Sequence, residues 1–298
     1  MTSLATGSLS IPKQKLEPWL GKIQYGSTVA ALSAVTPQTF GEGEFFTFNI
    51  GEAEYVGEGA QKGASTVTPT VKTVKPFKFH KTLRFNEEVL WADEDRQLEV
   101  VDEILDLIQP SLSRALDFGV IHEINPTGGA KVTAMNGGLC DSPNSVEYVA
   151  TDKPYVSLDA ADALVMADGF VPRDVALDPL YAAKFASARG TNSEQKLYPA
   201  LKLDTAVSEV EGHRASVSNT VGAVGVAAVA SNILGVVGDF SSVRWGVQKA
   251  LGLEVIKYGD PDGGGDLKRN NQIAVRAEVV YGWGIAELAA FAVVLDAA

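Results

Sequence analysis

The sequence predicts an α+β protein built around a long hairpin and a long helix. A run of strand-forming residues at 45–50 and an alternating run at 71–85 flank a glycine-rich turn, which predicts the hairpin. Apolar residues at helical spacing cross 94–118 and predict the helix. Strand-forming runs at 273–281 and 290–295 then end the sequence.

Composition permits a sizeable core and limits the class of function. The chain has 298 residues, 46% of them hydrophobic, which is enough for one large domain or two modest ones. Its net charge of -12 excludes a surface that coats nucleic acid, because affinity for phosphate comes mainly from lysine and arginine. The charge is still compatible with a container. With one cysteine, Cys140, the chain forms no intrachain disulfide and suits a reducing cytosol.

Two observations favour a soluble, cytoplasmic setting. Residues 1–4 lack the basic stretch and apolar run of a secretory signal. The most apolar segment, 221–237, is interrupted by glycines, Ser231 and Asn232. A membrane span needs about 20 apolar residues, so this segment is predicted to be buried strand and turn.

The first 40 residues show no sustained periodicity. They predict an extended arm that has room for one short helix and buries little surface within its own subunit.

Residues 41–85 predict a long β-hairpin with a flexible, glycine-rich tip. In the second strand, side chains from Val71 to Phe85 at odd positions share one face, because strand side chains alternate. An isolated hairpin is only marginally stable in water, so this one is expected to lie on its own domain or on a neighbouring subunit. The predicted tip consists of Gly57, Glu58, Gly59, Ala60, Gln61, Lys62 and Gly63.

The helix predicted over 94–118 has one apolar stripe and an acidic opposite face. Pro110 lies inside the pattern and is expected to kink the helix, because it lacks an amide donor. Turn formers at 125–129 follow. The stripe consists of Leu98, Val101, Leu105, Ile108, Leu112 and Ala115.

A small α/β section is predicted between 157 and 190. Residues 157–159 are expected to cap a short helix that runs to Ala167. A strand is predicted around 175–177. Asp178 and Pro179 then open a second helix, with proline at a tolerated first-turn position.

The search for chemical motifs finds no metal, cofactor or catalytic site. His122 and Glu123 begin a zinc-protease pattern, but Pro126 stands where the second histidine belongs, so His122 is interpreted as a partly exposed residue at a helix end. Asp260 and Asp262 resemble the start of a calcium loop that lacks its later ligands, which favours a solvated turn. The chain is therefore predicted not to be an enzyme.

The order of these segments resembles the Hong Kong 97-like major capsid proteins of tailed bacteriophages, over nearly the whole chain from about residue 40. Three short motifs carry the resemblance. They are Tyr55–Ala60, Gly238–Ser241, and Val275–Glu278 leading to Ala290 and Phe291.

The resemblance implies a fold and a division of the chain. An extended loop would lie over a neighbouring subunit, a spine helix would run through a peripheral domain, and an axial domain would meet its copies around symmetry centres. The implied segments are an N-terminal arm (1–40), the extended loop (41–85), the peripheral domain (86–154), the axial domain (155–270) and terminal strands that return to the peripheral domain (271–298).

The implied function is self-assembly into hexamers and pentamers of an icosahedral head that encloses double-stranded DNA, with assembly in the host cytoplasm and no membrane contact. Other implied partners are a separate scaffolding protein, a portal, a decoration protein and weakly contacted DNA. Some family members crosslink a lysine to an asparagine, and Lys62, Asn270 and Asn271 match these by type alone. The alternatives are an encapsulin-like nanocompartment shell and an unrecognised soluble oligomeric binding protein or hydrolase.

Overall fold

A computed structural model describes residues 26–64, 67–88, 108–135, 137–190 and 194–297. The helices in these ranges are α1 (Thr28–Leu32), α2 (Ile108–His122), α3 (Pro154–Ala167) and α4 (Pro179–Ser187), with 3-10 turns at Leu139–Asp141, Phe240–Ser242 and Leu288–Ala290. The strands are β1 (Gly43–Asn49), β2 (Thr68–Asn86), β3 (Asn144–Tyr148), β4 (Asp174–Leu177), β5 (Ser208–Val210), β6 (His213–Val217), β7 (Ile233–Gly238), β8 (Val243–Ile256), β9 (Gln272–Ile285) and β10 (Phe291–Asp296).

The described strands form two sheets. The first is antiparallel, with the order β1-β2-β9-β8. The second is mixed, with the order β3-β10-β7-β4-β6-β5, and its pairs β3/β10 and β4/β6 are parallel. These sheets and four helices confirm the predicted α+β class.

The six-stranded sheet is covered on both faces. Along β7, Val236 joins the main core and its neighbour Val237 joins a second core, because successive side chains point to opposite faces. Val293 and Val294 of β10 divide in the same way. The main core lies against α1, α2 and the four-stranded sheet, and the second core lies under α3 and α4.

The expectation that the arm buries little surface is wrong for residues 26–33. The predicted short helix exists as α1, and Val29 and Leu32 lie in the main core with 0% and 2% of their surface exposed. Ser27 caps the helix by accepting a hydrogen bond from the Ala30 amide at 3.0 Å. Residues 1–25 lie outside the described residues.

Helix α2 confirms the C-terminal half of the long helix and extends it to His122. Ile108 is buried, and Leu112 is half-buried against the main core. The stripe residues Leu98, Val101 and Leu105 lie outside the described residues. So does the rest of 94–107, on which the predicted kink at Pro110 depends.

His122 is buried at the end of α2, so its interpretation as a partly exposed residue is wrong. Its Nε2 donates to the Thr220 carbonyl at 3.0 Å, and burial lowers the pKa of the imidazole. The loop that follows β6 covers the ring, and nothing in the local sequence announces that contact.

The two predicted helix starts have different outcomes. Asp178 caps α4 as predicted and accepts from the Leu180 amide at 2.9 Å. Ser157 does not cap α3, because the helix begins at Pro154. Its hydroxyl instead donates to the Pro154 carbonyl at 3.1 Å and contacts the Tyr181 hydroxyl at 2.6 Å.

The two terminal strands enter different sheets. β9 pairs with β2 and β8, whereas β10 lies between β3 and β7 in the other sheet. The 3-10 turn at Leu288–Ala290 redirects the chain between them. Residues 272–296 therefore join the two sheets.

His213 on β6 predicts a pH-dependent stability. Burial opposes its charge, but the hydrogen bond from Nε2 to Asp162 at 3.0 Å and the charge of that carboxylate outweigh burial and raise the pKa of His213 above 6.5. The pair therefore stabilises the fold below about pH 6.5, and this stabilisation is lost as pH rises through the folded-state pKa. We expect the free energy of unfolding, measured in urea, to fall between pH 6 and 8. His213→Gln should make this dependence on pH weaker. An unchanged dependence on pH in that variant would contradict the assignment.

Candidate intersubunit surface

Two partners divide the long strand β2. β1 pairs with Thr68–Val74, and β9 pairs with the remainder from Lys75 to Asn86. We call residues 43–74 the distal limb, which the structure describes at 43–64 and 67–74. In the described structure it pairs only within itself, so it extends from the four-stranded sheet as a two-stranded ribbon.

The predicted tip lies at the far end of this limb. The Ala60 amide donates to the Gly57 carbonyl at 3.1 Å, and Gly59 has a φ of +78, a left-handed conformation that glycine adopts without strain. Exposed residues surround the turn, and Tyr55 has 92% of its surface exposed. The tip residues Gly57, Glu58, Gly59, Ala60, Gln61, Lys62 and Gly63 thus contribute little to the core of their own subunit.

One face of the limb is apolar and exposed. Phe46 lies opposite Val71, and Phe48 lies opposite Pro69. The two phenylalanine rings stack with centroids 6.4 Å apart, and 55% and 61% of their surfaces are exposed. Aromatic side chains in contact with water on a strand pair are a feature of surfaces that become buried on association.

The root of the limb is fixed to the body. Phe45, on the opposite face from Phe46, packs against Gly284 of β9, where a Cβ atom would lie 2.9 Å from the ring. Lys72 forms an ion pair with Glu287 at 3.5 Å, and Val74 is buried. The limb therefore projects from a well-packed base.

Arg84 supplies a second anchor at the other end of β2. Its guanidinium donates to Asp260 at 3.2 Å, to the Gly265 carbonyl at 3.0 Å and to both carboxylate oxygens of Asp262. The hydrogen bond from Arg84 lowers the pKa of Asp262. The aspartates that resemble a calcium loop thus bind a cationic side chain and hold the 259–266 loop against β2.

Metal-binding groups and the one cysteine are the features to compare with the sequence prediction. They contain no group of three or more His, Cys, Asp or Glu side chains placed to hold a metal. Burial raises the pKa of Cys140 to about 11, which leaves the thiol protonated and weakly nucleophilic near neutral pH. None of the helices in the described ranges is both long enough and apolar enough to cross a bilayer.

Comparison with solved structures identifies the family. A chain from Mycobacterium phage Ogopogo is 42% identical, with a TM-score of 0.86 over 99% of this chain and 100% of that one. This chain belongs to the Hong Kong 97-like major capsid proteins of bacteriophages. A Gordonia phage Cozz chain matches this capsid protein at 27% identity and a TM-score of 0.80, over 97% and 92% of the two chains.

More distant matches support the capsid fold alone. The capsid of a native GTA particle shares 15% identity with this capsid protein, with a TM-score of 0.63 over 99% and 98% of the two chains. No protein-family model and no curated protein sequence matches the chain. The fold and the shell role of this capsid protein therefore rest on similarity along its full length.

Sequence reasoning found the hairpin of this capsid protein but not its exposed face. The strand-forming residues at 45–50 predict a strand and do not say which of its faces meets the core. The sequence also contained no sign that Asp117 of α2 accepts hydrogen bonds from residues 27–29 at the start of α1. The signal that could have found the exposed face is the adjacent pair Phe45 and Phe46, since neighbouring strand residues point in opposite directions.

Proposed function

We propose that this capsid protein assembles into hexamers and pentamers of an icosahedral head that encloses double-stranded DNA, and that its distal limb lies on a neighbouring copy. The observation that carries the proposal is the exposed apolar face at Phe46 and Phe48, on a two-stranded ribbon that pairs with no further strand among the described residues. A net charge of -12 suits a container that contacts DNA weakly.

The remaining parts of the proposal follow the family. Residues 86–154 form the peripheral domain and 155–270 the axial domain. A separate scaffolding protein, a portal and a decoration protein act with the shell, which assembles in the host cytoplasm and has no catalytic activity. The exposed tip and the apolar face of the limb gain their partners on assembly.

Deletion of residues 57–65 is expected to leave the subunit folded and to abolish closed particles. The physical reason is that the tip adds almost nothing to the subunit's core while it occupies the outer end of the limb. Circular dichroism measures folding, and electron microscopy of purified material measures particle formation. Loss of the subunit's circular dichroism signal would contradict an intersubunit role for the tip.

Two single substitutions provide a matched comparison for the apolar face. Phe48→Ser removes an exposed ring from the limb, and Tyr258→Ser removes a ring that is similarly exposed, at 72%, on the segment after β8. We expect particles from the Tyr258 variant and few from the Phe48 variant. Wild-type chain that forms no closed particles, with scaffolding protein present, would overturn the proposed function.

A further inference from the structure

Charge divides the extended loop into an acidic part and a basic part. Residues 42–64, which we call the acidic limb, carry one lysine, Lys62, and several exposed glutamates. β2 carries no acidic residue along its 19 positions, in a chain whose net charge is -12. The glutamates of the acidic limb are Glu42, Glu44, Glu52, Glu54 and Glu58. The cations of β2 are Lys72, Lys75, Lys78, Lys81 and Arg84, joined by His80.

The acidic and basic parts do not neutralise each other within one copy. Lys72, Lys78 and Arg84 pair with carboxylates of the body, Lys78 with Glu278 at 2.6 Å. Among the described residues, Lys81 has no ion pair. The glutamates of the acidic limb likewise have none within the described ranges. Charges of both signs are therefore left over on one loop.

Basic side chains of β2, among them Lys81, which has no ion pair in the described ranges, border a groove. A cavity of about 720 Å³ lies between β2 and α2, and the turn at 125–127 closes one side. Phe77 and Phe79 line its apolar part and pack against the main core. Lys78, His80 and Lys81 line it as well, and all three are exposed. A groove with an apolar part beside basic side chains on one strand fits an acidic ribbon or turn that also carries apolar residues.

We propose that the acidic limb of one copy docks in this β2–α2 groove of the next copy, with its glutamates beside Lys81, Lys78 and His80. This rests on the proposed function, since it names the surface on which the limb lies. Copies with a net charge of -12 repel one another, so a local match of opposite charge sets where they meet and in which register. The same repulsion disfavours DNA as the occupant of the groove.

A charge swap tests the inference, because every copy contributes both surfaces. Lys81→Glu should lower the yield of closed particles about tenfold or more, since it places like charges together at each contact. Glu54→Lys with Glu58→Lys should do the same. A chain that carries all three substitutions should recover particles. Lys202→Glu makes the same charge change at an exposed position outside the groove and should assemble like wild type.

The outcomes separate this inference from the proposed function. If wild-type chain and Lys81→Glu both assemble normally, docking of the acidic limb in the groove is wrong and the shell role stands. The same conclusion follows if Lys81→Glu folds but the Glu54→Lys and Glu58→Lys substitutions do not restore its particles. Normal particles with reduced DNA content would assign the groove to nucleic acid instead. Absence of particles from wild-type chain overturns both proposals. If Lys81→Glu loses its circular dichroism signal, the yield of closed particles is measured with Lys81→Gln instead. This variant should give a yield between those of wild type and of a chain that does not assemble.

Discussion

Asp117→Ala is expected to lower the free energy of unfolding of the isolated subunit by about 3–5 kcal/mol. The carboxylate is fully buried and accepts hydrogen bonds from the Thr28 amide at 2.8 Å, the Val29 amide at 3.1 Å and the Thr28 hydroxyl at 3.0 Å. It also accepts from the hydroxyls of Ser27 and Thr220. Alanine would leave these donors buried without an acceptor, which costs more than the hydrogen bonds contribute.

Urea unfolding of the unassembled subunit measures this loss of stability. Two further variants serve as comparisons, one at Asp117 and one at an exposed aspartate. Asp117→Asn keeps the shape of the side chain but turns an amide donor toward other donors, so it should also destabilise, by less than alanine does. Asp152→Ala removes an exposed aspartate and should change stability by less than about 0.5 kcal/mol. An Asp117→Ala subunit that unfolds at the wild-type urea concentration would show that the cluster contributes nothing.

Limited proteolysis gives an independent view of the same variant. Asp117 joins the start of α1 to α2 and to the loop after β6, so its loss should release residues 26–33 before the rest of the subunit unfolds. Cleavage in this segment should become faster in Asp117→Ala than in Asp152→Ala. The segment predicted as a loose arm is thus held by this carboxylate in addition to the packing of Val29 and Leu32 in the main core.

Local signals in the sequence were enough for the two hairpin strands, for β4, β9 and β10, and for the start of α4. The hairpin follows from strand-forming residues at 45–50 and alternation at 71–85, on the two sides of a glycine-rich turn. The start of α4 follows from Asp178 before Pro179. In each case the residues that decide the structure are neighbours along the chain. Alternation at 273–281 also predicted β9, and the apolar run at 290–295 predicted β10, but neither signal indicated that the two strands enter different sheets.

The rest could not be predicted because the deciding contacts are distant in sequence. Asp117 looks like any polar residue of a helix, yet its partners Thr28 and Thr220 lie 89 and 103 positions away. The burial of His122 depends on Thr220 in the same way. For the candidate site, charge and exposure on the limb are partly visible in the sequence, whereas the groove appears only when α2 lies beside β2.

Trp283→Ala is expected to cost about 3–5 kcal/mol of unfolding free energy, since it removes the largest fully buried side chain of the main core. The indole ring lies 4.3 Å from the ring of Phe77 and 6.3 Å from that of Phe79, centroid to centroid. Its Nε1 has no hydrogen-bond partner among the described residues, so ring packing accounts for its contribution. Trp283→Phe should therefore cost much less than alanine in the same urea measurement.

Gly119 explains why the site accepts a side chain of this size. A Cβ atom at Gly119 would lie 2.6 Å from the indole ring, so α2 can approach β9 only where it carries glycine. Gly119→Ala should cost about 1–3 kcal/mol in the wild-type background through overpacking, and less beside Trp283→Leu, which makes room for the methyl group. If the losses of unfolding free energy from Gly119→Ala and Trp283→Leu simply add in the double variant, Gly119 and Trp283 are not in direct contact.

The position of Trp283 in the sheet links this packing to assembly. It lies opposite Lys75, the first residue of β2 that pairs with β9 after the distal limb ends. Loss of the indole ring is expected to loosen the packing of the sheet where the distal limb begins. The packing at this position fixes the direction in which the limb projects. Trp283→Phe subunits that remain folded should therefore form particles less readily than their stability alone would allow, whereas a core variant in the second cluster, Val165→Ala, should not.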